Sequence, residues 1–221
     1  MYRKELSYYF SSPVAYIVIG LYLVTISLFL WVIPGEWSIL DSGYAQTDGL
    51  FYLSPWLFMI LCPALTMRLF AEERQTGTWD LLITKGLPLG RIVIEKALAA
   101  WTLLIIGILP CVVHYFIVYW LAEPIGNIDL GQFIGGWIGL ILLSGAMISV
   151  GVMAGSCTKS QIVAFIAGAV ANFVLYWLLM QDHYLSMGRG VIDLRDVAFF
   201  VLVVVIAIGL AIIILNKVTH K

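Results

Sequence analysis

Six apolar runs divide the chain, at about 14–33, 52–70, 97–120, 132–155, 161–180 and 197–215, with short polar stretches between them. Crossing a bilayer takes about 20 residues of helix, and a helix pairs its own backbone groups where no water can do so. The pattern therefore predicts an all-α membrane protein with six transmembrane helices. Residues 1–12 are too short and too charged to cross. Tyr2, Leu6, Tyr9 and Phe10 recur there at helical spacing, which predicts a helix lying in the membrane interface. Ser12 offers an N-cap and Pro13 suits the first helical position, so span 1 begins at that point. Pro55 and Pro63 predict a bend in span 2. The first apolar run, Val14 to Ile33, exceeds the ~7–15 residues of a signal-peptide core, so a cleaved leader is not expected.

Charge orients these spans. Of the 12 Lys and Arg residues, ten fall in the odd-numbered polar segments: Arg3, Lys4, Arg68, Arg74, Lys85, Arg91, Lys96, Lys159, Lys217 and Lys221. The even-numbered segments hold Arg189 and Arg195, together with eight of the 13 acids. Basic connections stay in the cytoplasm, so both termini are expected inside. Trp31, Trp56, Tyr119, Trp120, Trp137, Tyr176 and Trp177 fall near the opposite ends of the spans, as one half of an aromatic belt. Hydrophobic residues make up 62% of the chain and charged ones 11%, against about 25% charged in a soluble domain. No separate soluble domain is present.

Chemistry is sparse. Inside the spans His114 stands alone, and a lone histidine among apolar neighbours is first a packed, hydrogen-bonded residue. Ion-driven carriers and voltage sensors need intramembrane charges, so energy for transport is expected from outside the membrane. Cys62, Cys111 and Cys157 read as small buried hydrophobes, and neither a metal site, a cofactor nor a nucleic-acid partner is expected. Gly155–Ser160 departs from a phosphate-binding loop, with Thr158 where a glycine is needed. Gly131, Gly135 and Gly139, then Gly151 and Gly155, recur every fourth residue in span 4, a spacing for close helix packing within one subunit or across a dimer seam. Asn172 in span 5 could hydrogen-bond across helices beside them.

The stretch Glu72–Pro88 is the most informative. Gly77 permits a turn, Thr78 can cap a helix, and Asp80 lies in its first turn. Trp79, Leu82 and Ile83 make an apolar face, and Gly86 and Pro88 end the helix. The expected element is a two-turn helix between spans 2 and 3 with exposed apolar anchors. It either rests on the membrane or fills a groove on a partner.

Glu72, Glu73, Gly77, Thr78, Asp80, Leu81 and Leu82, after an interfacial helix and two spans, resemble the ABC-2-type transporter permeases, and the resemblance covers the whole chain, 1–221, as a single transmembrane domain. The runs Phe10–Tyr16, Phe29–Trp31, Ser54–Trp56 and Cys62–Glu73 are similar, more narrowly, to the gliding-motility permease subunits. The resemblance implies a non-enzymatic permease in a bacterial inner membrane. A separate cytoplasmic ABC ATPase subunit would dock on a coupling helix built from Glu72, Glu73, Arg74, Gly77, Thr78, Trp79, Asp80, Leu82 and Ile83. It also implies a second permease half, the same or a related chain, and a membrane-anchored periplasmic subunit of the gliding complex. A non-transporting scaffold and an exporter of another ABC-2 subfamily remain open beside it, as does, on the residues alone, a channel or ion-coupled carrier.

The charge pattern makes a direct prediction. With native Cys157 replaced by Ser, an impermeant thiol reagent should label Lys85→Cys and Lys159→Cys from the cytoplasmic side, and Ala45→Cys and Asn127→Cys from the other. The reverse labelling would invert the topology.

Overall fold

The computed structural model describes residues 1–79 and 88–219, and everything regular among them is helical. A helix over Tyr2–Ser11 precedes six helices long and apolar enough to cross a membrane: Pro13–Trp31, Asp48–Gln75, Leu89–Leu121, Leu130–Cys157, Gln161–Gly188 and Leu194–Val218. The protein is thus a multi-pass membrane protein. Spans 1, 5 and 6 are largely exposed and spans 2 and 4 are enclosed, so the bundle is built around 2 and 4 with lipid-facing helices outside.

Local chemistry sets the helix boundaries. Ser12 caps span 1 as expected: its hydroxyl accepts from the Val14 amide at 3.2 Å, with Pro13 in the first turn. Asp129 does the same for span 4 through the Gln132 amide, at 3.1 Å. Span 2 runs through both its prolines and breaks at Met67, so Asp48–Thr66 and Arg68–Gln75 are separate helices. The Ser54 and Thr66 hydroxyls bond back to the carbonyls of Leu50 and Cys62, at 2.6 and 3.0 Å. Back-bonding of this kind bends helices. Span 3 is interrupted by a 3-10 turn over Leu109–Cys111, where Pro110 lacks the amide the ladder needs. Span 5 extends beyond the expected residue 180 to Gly188, through a π-helical segment at Tyr176–Met180.

Odd-numbered connections gather at one end of the bundle. Glu5 of the N-terminal helix meets Lys96 at the start of span 3, and a Cβ on Gly90 would meet Ile212 late in span 6. Both ends of the described chain therefore lie at this basic end. At the acidic end His183 Nδ1 lies 2.7 Å from Asp196 and joins spans 5 and 6.

Two corrections concern aromatic residues. Trp137 and Tyr176, assigned to a lipid-facing belt, are buried in the protein. Trp56, Trp120 and Trp177 are exposed as expected. His114 accepts at Nδ1 from Trp31 Nε1 at 3.0 Å, so its polar demand is met by a neighbouring span.

The glycine stripe packs inside the subunit. Added Cβ atoms at Gly135 and Gly139 would run into Met187, and one on Gly190 would meet the Gly131 backbone at 2.9 Å. At Gly151 the obstacle is the Thr66 hydroxyl, whereas at Gly155 an added Cβ would make only ordinary contact with the Thr66 carbonyl. Span 4 thus approaches span 5 with one set and span 2 with the other, which lets backbones close where lipid supplies no hydrophobic drive. Asn172 is fully buried, but among the described residues neither its amide nitrogen nor its oxygen has a hydrogen-bond partner, so the expected cross-helix hydrogen bond is not made there.

Gly151→Leu should destabilise the purified protein by about 1–3 kcal/mol, as overpacking does. Gly20→Leu, where an added Cβ meets nothing, should cost little. Thermal unfolding in detergent separates them, and equal losses would remove the close span 2–span 4 approach.

Candidate functional site

The helix Arg68–Gln75 carries three consecutive charges, Glu72, Glu73 and Arg74. An α-helix turns by about 100° per residue, so three neighbours point in three directions. Each finds a different element. Glu72 Oε1 accepts from the Tyr8 hydroxyl of the N-terminal helix at 3.1 Å. Glu73 Oε1 accepts from Lys96 Nζ of span 3 at 2.8 Å. Arg74 Nη1 donates to the carbonyls of Ser156 and Thr158, at 2.9 and 3.3 Å. The last carbonyls of a helix have no partner within it and carry partial negative charge, so Arg74 closes the end of span 4.

Lys96 is the centre of this arrangement. Its side chain is 2% exposed and lies between two carboxylates, Glu73 and, at 3.0 Å, Glu5. Its ammonium also sits 5.8 Å from the centroid of the buried Phe70 ring, within cation–π range. Phe70 meets Trp79 edge-on at 5.9 Å. Nearby, Tyr9 donates to the Leu65 carbonyl at 2.7 Å, and burial pushes its phenol far up. Partial burial, and then the Glu72 carboxylate, raise Tyr8.

Below this cluster the helix stops. Thr76 bonds back to the Glu72 carbonyl at 2.9 Å, and Gly77 takes a φ of +72°. A left-handed residue just past a helix end favours glycine, so the turn expected at Gly77 is present. The Thr78 hydroxyl lies 2.9 Å from that of Thr76 and 3.4 Å from the Glu73 carbonyl, and the amides it is expected to cap lie outside the described residues.

Trp79 also differs from expectation. It is 5% exposed, packed against Phe70, where the sequence places an exposed anchor. A large ring next to a buried one gains more from Phe70 than from water. Asp80, Leu82 and Ile83 lie outside the described residues.

The sequence-predicted residues Glu72, Glu73, Arg74, Gly77, Thr78 and Trp79 are thus brought together at the basic end. Gly131, Gly135, Gly139, Gly151, Gly155 and Asn172 lie within the bundle. Glu5 and Lys96 were missed. The signal was available: Lys96 stands three residues after Val93 and four before Ala100, a spacing that puts all three on one helix stripe. Both neighbours are fully buried.

A Lys96→Met substitution leaves two carboxylates without their cation and should cost about 3–5 kcal/mol. Combining it with Glu5→Gln and Glu73→Gln should recover most of that loss in detergent unfolding. A triple variant no more stable than the single one would sink the assignment of Lys96 as a charge bridge.

Among known families, a model described as ABC-2 family transporter protein matches residues 42–217. The match takes in all of spans 2 to 5, most of span 6 and the whole charged triplet. No curated protein matches the chain.

Proposed function

The chain belongs to the ABC-2 transporter family, and on that premise we propose that it is a permease whose basic end is cytoplasmic and receives motion through the segment following Arg68–Gln75. Family membership implies an ABC ATPase as partner and a lipid bilayer as surroundings. ATP hydrolysis then belongs to the ATPase subunit, and this chain does no chemistry of its own.

One observation carries the reading. Immediately before residues 80–87, the triplet Glu72–Arg74 ties the helix to the N-terminal helix, span 3 and span 4 within a single turn. A displacement applied just beyond that point is shared by several helices rather than absorbed by one. Rigid-body motion of packed helices is a common form of switching, and it requires such a root. Asp80, Leu82 and Ile83 are assigned to the ATPase groove, with Trp79 as the buried pivot behind them.

The finer identity rests on the resemblance of the Phe10–Tyr16 and Cys62–Glu73 runs. On that basis the protein is assigned to a gliding-motility complex of a bacterial inner membrane, working as a pair of six-span halves with a membrane-anchored periplasmic subunit. ATP hydrolysis would there drive export or transmit force across the membrane.

Leu82→Asp should abolish co-purification of the ATPase while the chain still inserts in the membrane. Trp79→Asp should lower stability as well, because Trp79 is buried. Full retention of the ATPase by Leu82→Asp would rule out the docking segment.

A further inference from the structure

A cavity of about 330 Å³ opens at the basic end, where the N-terminal helix turns into span 1 and span 2 breaks into Arg68–Gln75. Its floor is apolar, formed by Val14, Ala64, Leu65 and Leu69. Its upper wall is polar, with three cations, Lys4, Arg68 and Lys96, and three carboxylates, Glu5, Glu72 and Glu73. Lys96 lies between Glu5 and Glu73. That leaves Arg68, Lys4 and Glu72 to face the space.

Arg68 is the unexplained residue. Its Nε is enclosed by protein yet has no acceptor among the described residues. Glu72 stands one turn later, but no salt bridge joins the two, and the Glu72 carboxylate accepts from Tyr8 instead. Lys4 forms no ion pair among the described residues either. An enclosed charged donor left without an acceptor is destabilising, and a ligand oxygen would relieve it. A guanidinium fork is shaped for the oxygens of a phosphate.

We propose that this cavity binds the headgroup of an ethanolamine phospholipid, with the phosphodiester on Arg68 and Lys4 and the ammonium toward Glu72. Residues one turn apart on a helix have Cβ atoms about 5–6 Å from each other. Arg68 and Glu72 can therefore close on a phosphate and an ammonium separated by two carbons. The equal number of cations and carboxylates suits a zwitterion and disfavours a dianion. The apolar floor continues onto the exposed outer face of span 1 at Ile17, Leu21 and Val24, where acyl chains would lie. The site concerns lipid alone and stands whether or not residues 80–87 dock an ATPase.

The test is native mass spectrometry of the purified full chain in detergent, titrated with phosphatidylethanolamine, phosphatidylglycerol and diacylglycerol. Glycerophosphoethanolamine, which lacks acyl chains, serves as soluble competitor. Phosphatidylethanolamine should bind best, and Arg68→Gln should weaken it about tenfold, the loss of one charge-assisted hydrogen bond. Glu72→Gln should erase the preference over phosphatidylglycerol. Lys4→Gln, at an exposed position where substitutions cost little stability, should weaken binding several-fold and decides the matter if Arg68→Gln does not fold. Diacylglycerol binding as well as phosphatidylethanolamine would overturn the proposal. So would unchanged binding in Lys4→Gln and Arg68→Gln, or displacement by the soluble headgroup at equal concentration, which would make this a site for free phosphate esters.

Discussion

A lysine ammonium taken out of water carries a desolvation cost of several kcal/mol, and Coulomb attraction offsets it only where the geometry is good. Lys96 meets that condition with Glu5 and Glu73. The two carboxylates come from helices far apart in sequence, so the buried charge specifies one mutual arrangement of the N-terminal helix, Arg68–Gln75 and span 3. An apolar residue at 96 would tolerate several. Buried ion pairs are weak evidence for stability but a known means of fixing register.

This constraint matters more in a membrane than it would in water. Between lipid-exposed spans there is no hydrophobic drive, and association depends on close packing and polar links. The structure uses both. Along span 4, Gly135, Gly139 and Gly151 let spans 2 and 5 approach. At the basic end, where backbone carbonyls run out and water is near, the charges of Glu5, Glu72, Glu73, Arg74 and Lys96 do the joining. Arg74 is the clearest instance, since its target is the unpaired end of span 4 rather than a side chain.

The sequence disclosed the spans because apolar length is a property of single segments, and it disclosed Ser12 and Gly77 because caps and left-handed turns are local. Lys96 escaped because its meaning is set by partners at positions 5 and 73. Read alone it is a snorkelling lysine near a span end, and only the company of Val93 and Ala100 on its stripe pointed inward. Trp137, Tyr176 and Trp79 failed for the converse reason. Aromatic residues near span ends suit lipid, water or a neighbouring ring, and the choice depends on which helix stands opposite. The interruption at Pro110 was legible in principle, since a proline within a span frees a carbonyl wherever it occurs.

How a push beyond Trp79 would spread follows from the order of contacts. Trp79 bears on Phe70, whose ring lies against the Lys96 ammonium, which is held by Glu5 and Glu73. Shifting Trp79 inward therefore moves a buried ring against a buried charge, and neither can yield alone. The ring is fully buried, and the ammonium cannot leave its carboxylates without being stranded. Packed interiors respond to such a load by moving as a body rather than by deforming. Spans 5 and 6 take no part in this knot, and they are also among the most lipid-exposed. Span 4 packs extensively on both span 6 and span 5, so a shift passed to span 4 would carry them with it.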